Sequence, residues 1–343
     1  MLSAVDASAL QTGEPSQLAV FRTQLIDSLV SHGFIRLINH GIPEHQIDEV
    51  FEQSKNLFQL PWESKTKLAN DPEKSDYQRG WSALGDEQTW ALFGQEGVFG
   101  SKESSDSKEN FDFGSPRETR FPNKWPSEED LPGFQAKMEA FYRTCHRVSQ
   151  QVLKELALAL NLPPGTFAEQ CSKNEASTMR INHFPEVHVR EVDAGQTCRI
   201  WPHFDFGIIS LVFRDIVGGL ELEDRARPGT FVPVPCASRT EMCVNVGEQF
   251  QRWSNGRIRA GLHRVTKPYR RAELVDGEML PERFSVAFFV KADHDASVGP
   301  IARFVTPEFP QAYEDITASE FQRRRNKATY YSSKQTAVVE AAA

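Results

Sequence analysis

From Thr178 onward the chain is written in short β-rich runs broken by turn signals, and this pattern constrains its fold more than any other feature. The runs are Thr178–Phe184, Cys198–His203, Gly207–Phe213, Leu220–Glu223, Phe231–Val234, Met242–Val246, Leu262–Val265 and Phe284–Val290. Gly218-Gly219, Pro228-Gly229 and Asn255-Gly256 supply turns between them. Short predicted strands spaced about 8–12 residues apart suggest a sandwich or a barrel.

The first half reads differently. Leu18, Phe21, Leu25 and Leu29 recur at helical spacing and predict an amphipathic helix over 16–32, with Ser16 as its cap and Gly33 ending it. A β-rich run, Phe34 to Ile38, follows and stops at the turn-rich Asn39-His40-Gly41-Ile42-Pro43. A second helix is predicted over 44–57, with Ile47, Val50, Phe51, Ser54 and Phe58 on its buried side. Gly, Ser and charge dominate much of 70–118, notably 80–85 and 96–110, so surface loops are expected there. The longest helical stripe runs from Phe134 through Met138, Phe141, Cys145, Val148, Val152 and Leu156 to Leu160, and Pro163-Pro164 stops it. The expected fold is mainly β with flanking helices. An α/β N-terminal region covers 1–120, and 121–343 holds the β core at about 176–292 and a C-terminal helix.

Composition narrows the function. The 343 residues carry a net charge of −8, and no Lys/Arg block is long enough to track phosphates. Arg323-Arg324-Arg325 reads as the solvated face of a terminal helix. No apolar run approaches the ~18 residues of a membrane span, and 1–6 has no signal-peptide character. The cysteines (Cys145, Cys171, Cys198, Cys236, Cys243) are scattered without a CxxC pair, which suggests reduced thiols. A soluble cytoplasmic protein is expected, with a small-molecule partner, neither nucleic acid nor membrane, and an open oligomeric state.

Within the β-rich half, His203 and Asp205 are two apart, and on a strand such residues share a face. His263, far downstream, is the candidate third ligand. Two His and one carboxylate on one side of a metal form the facial triad of non-haem Fe(II) oxygenases, with positions left for dioxygen and a chelating co-substrate. A His-x-Asp pair alone is common, and two His with one Asp also bind zinc. His40 reads as a turn residue rather than a ligand. Arg283 and Ser285, again two apart, offer a guanidinium and a hydroxyl to a carboxylate. Arg283 stands at the mouth of the apolar run 286–290, which favours a site over a surface charge.

These pieces resemble the Fe(II)/2-oxoglutarate-dependent oxygenase superfamily, in particular its isopenicillin N synthase-like group. Ser31-His32-Gly33-Phe34 leading into Asn39-His40-Gly41-Ile42-Pro43 is similar to the group's N-terminal signature. His203-Phe204-Asp205-Phe206-Gly207 resembles HxDxG, and Arg283-Phe284-Ser285 resembles RxS. Asn245-Val246-Gly247-Glu248 and Gln251–Gly256 resemble the approach to the distal ligand in Leu262-His263-Arg264-Val265. The resemblance implies a double-stranded β-helix (jelly roll) and Fe(II), 2-oxoglutarate and O2 as cofactor and co-substrates. It implies His203, Asp205 and His263 as iron ligands, Arg283 and Ser285 on the C5 carboxylate with Asn182 assisting, and hydrogen abstraction from a substrate. One position departs from the pattern. Asn182-His183-Phe184-Pro185 has Phe184 where relatives often have a tyrosine whose hydroxyl helps hold the co-substrate. Some relatives use no 2-oxoglutarate and bind substrate carboxylate at RxS, which leaves an isopenicillin N synthase-type oxidase as the competing mechanism. A non-catalytic binding protein on the scaffold would have a broken triad.

For the substrate, strand parity from His203 and Asp205 puts Leu211 and Phe213 on the inward face, lining a pocket or filling the barrel core. Arg190 and Arg199 meet a polar or anionic substrate or stand as surface charges. The wording around the motifs resembles fungal natural-product tailoring enzymes, with tropolone-forming ring expansion of a polyketide-derived cyclohexadienone as the specific expectation.

Overall fold

The computed structural model describes residues 2–71, 79–87, 89, 105–172, 176–268 and 278–326. All eight predicted runs of the β-rich half contain strands, and these divide between two sheets except at Cys198, which pairs with Asp106 in a separate ladder. The larger sheet has eight strands in the order Ala4–Asp6, Phe34–Ile38, Met242–Val246, Ile209–Arg214, Arg283–Val290, Thr178–Phe184, Glu109–Gly114 and Gly80–Ser82. The smaller has four, in the order Phe231–Pro233, Leu220–Glu223, His263–Val265 and Ile200–His203. This is the jelly-roll core with flanking helices.

Side-chain alternation explains why the larger sheet buries both faces. On Arg283–Val290, Phe284, Val286, Phe288 and Val290 turn towards the helices. Met179 and Ile181, Leu211 and Phe213, and Phe111 and Phe113 do the same on their own strands. The long helix Phe134–Ala159 packs there, with Tyr142 edge-on to Phe288 at 5.0 Å and Phe141 edge-on to Phe213 at 5.5 Å. Each fully buried phenylalanine in this layer contributes about 1.5–3 kcal/mol of transfer free energy. Helices Pro15–His32 and Glu44–Phe58 flank it. A smaller cluster, including Phe34, Leu220, Leu222, Val234 and Val265, fills part of the space between the sheets.

Three expectations are corrected. The first helix begins at Pro15 with Glu14 in the cap position, so Ser16 lies inside its first turn and does not cap it. Proline at the first helical position has no N–H to leave unpaired. The region expected to be loops contains two buried strands, Gly80–Ser82 and Glu109–Gly114. Residues 90–104 of the expected loop lie outside the described residues. At the C-terminal helix, Arg323 and Arg324 are exposed in ion pairs with Glu320 and Glu314, as a solvated face requires. Arg325 instead reaches Glu248 at 2.9 Å and lies 5.3 Å from the Phe206 ring, fastening the helix to the core.

Candidate metal centre

His203 ends one strand of the smaller sheet and pairs directly with His263 on its neighbour. Their rings lie 4.2 Å apart. Asp205 does not share that strand, contrary to the parity argument. It sits just past the strand end, in the turn that carries the chain across to the larger sheet. Gly207 makes this turn feasible, because a Cβ there would stand 2.4 Å from the Val290 carbonyl oxygen. The result still gathers all three side chains. Asp205 Oδ1 is 3.7 Å from His203 Nε2 and 4.0 Å from His263 Nε2, and one ligand atom from each residue lies within 4.8 Å of the others.

Hydrogen bonds decide which atoms face the centre. His203 Nδ1 is 2.8 Å from the Trp201 carbonyl, and His263 Nδ1 is 3.0 Å from the Gly261 carbonyl. A carbonyl can only accept, so each Nδ1 carries a proton and each Nε2 is the nitrogen turned towards a cation. Asp205 Oδ2 accepts from Ser210 Oγ at 2.6 Å and from Asn245 Nδ2 at 2.7 Å, which leaves Oδ1 facing the two imidazoles. Burial and the neighbouring His263 push the His203 imidazole down to about 3, so it is neutral at physiological pH. Burial works to raise the Asp205 carboxyl, but His263, His203, Asn245 and Ser210 together hold it below the usual range. Neutral imidazoles and an ionised carboxylate are the forms that bind a divalent metal.

The centre opens into a cavity. Cross-strand rows build its wall. Ser285 faces Asn182, which faces Asn110; one row on, Val212, Ala287, Arg180 and Asp112 line up. At one end Arg283 is buried, with Nη1 donating to Ser285 Oγ at 3.3 Å and Asn182 Nδ2 to the same oxygen at 3.4 Å. Its guanidinium lies 4.7 Å from the Phe184 ring, the cation–π partner that stands in place of a hydroxyl donor.

The substrate expectations fare differently. Leu211 and Phe213 belong to the helix-side core and do not line the cavity. Alternation holds only within one strand, and the turn after His203 restarts the count one residue out of phase, so Val212 faces inward instead. Arg190 is exposed on the short helix Val189–Asp193, away from the lining. Arg199 is fully buried rather than at the surface, and it too is absent from the lining. His40 is a packed turn residue, with Nε2 2.8 Å from the Thr240 carbonyl and its ring edge-on to Phe213.

Sequence reasoning missed a charged wall. Glu87, Lys108, Arg180 and Lys291 all line the cavity. Arg180 grips both Glu87 and Asp112 with paired bonds of 2.8–2.9 Å, and Lys108 bonds Glu87 and Asn110. The signal was present for Arg180, which is two residues from Asn182 on one strand.

Comparison with known proteins fits this centre. The N-terminal model of non-haem dioxygenases in morphine synthesis matches residues 2–128, and that of the 2OG-Fe(II) oxygenase superfamily matches 175–292. The 2-oxoglutarate-dependent dioxygenase phqC of Penicillium fellutanum is 40% identical over 95% of this chain and 94% of its own length. The proline hydroxylase buaE of Petromyces alliaceus is 39% identical over 92% and 95%. A full-length Neurospora crassa protein, solved as a crystal structure in complex with alpha-KG, superposes with a TM-score of 0.81 at 26% identity, covering 95% of each chain. The chain belongs to the 2OG-Fe(II) oxygenase superfamily and is a non-haem Fe(II)/2-oxoglutarate-dependent dioxygenase.

Proposed function

We propose that the enzyme oxidises a small, charge-bearing metabolite, an amino acid or a molecule built from one, in fungal secondary metabolism. The observation that carries this reading is the charged wall. In the buried network of Glu87, Lys108, Arg180 and Asp112 only Arg180 keeps some exposure; an apolar ligand would strip that hydration, whereas a substrate with its own carboxylate replaces it. Similarity to a proline hydroxylase supports it.

In this reading His203, Asp205 and His263 hold the iron, while Arg283, Ser285 and Asn182 hold the C5 carboxylate of 2-oxoglutarate. The bound metal, with 2-oxoglutarate and O2, supplies the hydrogen abstraction that leads to hydroxylation or desaturation. The chain's own residues orient the reactants. The Nδ1 bonds to Trp201 and Gly261 fix the imidazole planes, Ser210 and Asn245 fix the carboxylate, and Arg180 and Lys108 set the substrate's polar end. No helix among the described residues is long and apolar enough to cross a membrane. All five cysteines are free, which supports a reducing, cytoplasmic setting.

The test is succinate release from 2-oxoglutarate by the Fe(II)-loaded enzyme, with proline and aliphatic amino acids in one arm and hydroxylated cyclohexadienones in the other. Stimulation by the amino acids, with a product heavier by one oxygen, is the expected result. Stimulation only by the cyclohexadienones, with tropolone formed, would overturn it in favour of oxidative ring expansion.

A further inference from the structure

The three bulkiest fully buried side chains in the described protein are all arginines: Arg199, Arg214 and Arg283. They gather at one end of the barrel. Arg199 Nη2 donates to the carbonyl of Pro281, two residues before Arg283. Arg214 sits across the sheet from Ser285 and donates to the Val234 and Pro235 carbonyls at 3.2 and 2.6 Å. Arg283 Nε donates to the Gly218 carbonyl at 3.0 Å.

Carbonyl dipoles hold these groups in place but do not neutralise them. The carboxylate that acts on Arg199 and Arg283 is Asp215, and its oxygens already accept from the Val217 and Phe284 amides at 3.1 and 2.5 Å. Arg199 and Arg283 lie close enough to repel one another, as do Arg283 and Arg214. Donors also stay uncommitted: Arg199 Nε and Nη1 and Arg214 Nε are buried without an acceptor. Buried like charges with spare donors are costly unless an anion joins them. Arg283 is the member of the three that lines the cavity, so an anion arrives through it.

We propose that Arg199 and Arg214 are positioning residues for the co-substrate, standing behind Arg283 to make this end of the cavity a seat for a carboxylate. Their charge takes over the work of the hydroxyl that Phe184 lacks, and it sets the preference for a 2-oxo dicarboxylate over a 2-oxo monocarboxylate. The inference rests on 2-oxoglutarate occupying the Arg283 end.

Anaerobic calorimetric titration of the Mn(II)-loaded full chain with 2-oxoglutarate and with pyruvate tests it. Wild type comes first, and if it fails to bind 2-oxoglutarate, the placement of the co-substrate itself falls. Given binding, Arg199→Met is expected to weaken 2-oxoglutarate by tenfold or more, while Mn(II) and pyruvate affinities stay within twofold. Removing one of three repelling charges should also leave the ligand-free variant melting no lower than wild type. In turnover, KM for 2-oxoglutarate should rise while kcat at saturation holds within threefold. Arg199→Lys, which keeps the charge, should restore most of the affinity. An unchanged affinity for 2-oxoglutarate in Arg199→Met, or an equal loss for pyruvate, overturns the inference. So does Arg199→Lys behaving no better than Arg199→Met, because shape and not charge would then matter.

Discussion

The two ends of the cavity are built on opposite principles. At the metal end each non-ligating atom of the triad is committed: two imidazole Nδ1 atoms to carbonyls and Asp205 Oδ2 to two donors. At the other end Arg199 and Arg283 share one carboxylate, Arg214 is held by carbonyls, and Arg199 and Arg214 keep donors in reserve. The first arrangement needs only a cation between fixed ligand atoms. The second is under electrostatic tension that an incoming carboxylate relieves. One end therefore fixes geometry, and the other gains its binding energy from the ligand's charge.

Substitutions at each end sharpen or break this contrast. The largest effect is expected from His263→Ala, which removes a ligand from the open triad. Iron retained after gel filtration and oxygen-dependent succinate formation should both fall below detection, and a variant that kept its iron would exclude the triad. Next, Arg283→Met should raise KM for 2-oxoglutarate by about 10–100-fold, the worth of a charge-assisted pair. Its metal affinity should stay unchanged, since the two ends are held by separate bonds. Asn245→Ala attacks the metal end indirectly, by freeing Asp205 Oδ2 to turn. A drop in Fe(II) affinity of about tenfold is expected, as for other residues that orient a ligand, and 2-oxoglutarate affinity measured at saturating metal should not change. The smallest effect belongs to Phe184→Tyr. With the arginines already supplying charge, an added hydroxyl should improve 2-oxoglutarate binding by less than about threefold, read by the same titration.

What could be read from the chain before its structure follows from the chemistry each residue must do. That His203, Asp205 and His263 come together could be anticipated because few residue types suit Fe(II), and that Arg283 and Ser285 do because they are two apart on one strand. The strands of the β-rich half were legible from apolar runs and turns. Glu109–Gly114 was not, because Asn110 and Asp112, which bond Lys108 and Arg180 of the cavity wall, break the hydrophobic pattern that marks a buried strand. Leu211 and Phe213 were misplaced because parity was carried through a turn, where it has no meaning. Arg199 looked like a surface charge because charged residues are rarely buried. Its burial depends on Pro281, Asp215 and Arg283 meeting it in space, and no local pattern encodes that.

The edges of the eight-stranded sheet carry a consequence for how the chain acquires its shape. On one side Phe34–Ile38 pairs with Met242–Val246, and Arg36 bonds Glu241, 205 residues further along. On the other side Glu109–Gly114 pairs with Thr178–Phe184. Phe34–Ile38 finds Ala4–Asp6 early on one edge, but its other edge waits for a strand from the far half of the chain. Pairing of such long sequence separation is slow, since loop closure is paid before any contact rewards it. One edge of Phe34–Ile38 therefore stays open in the nascent chain until Met242–Val246 is made, after His203 and Asp205 and before His263, so ligand assembly and sheet closure both come late.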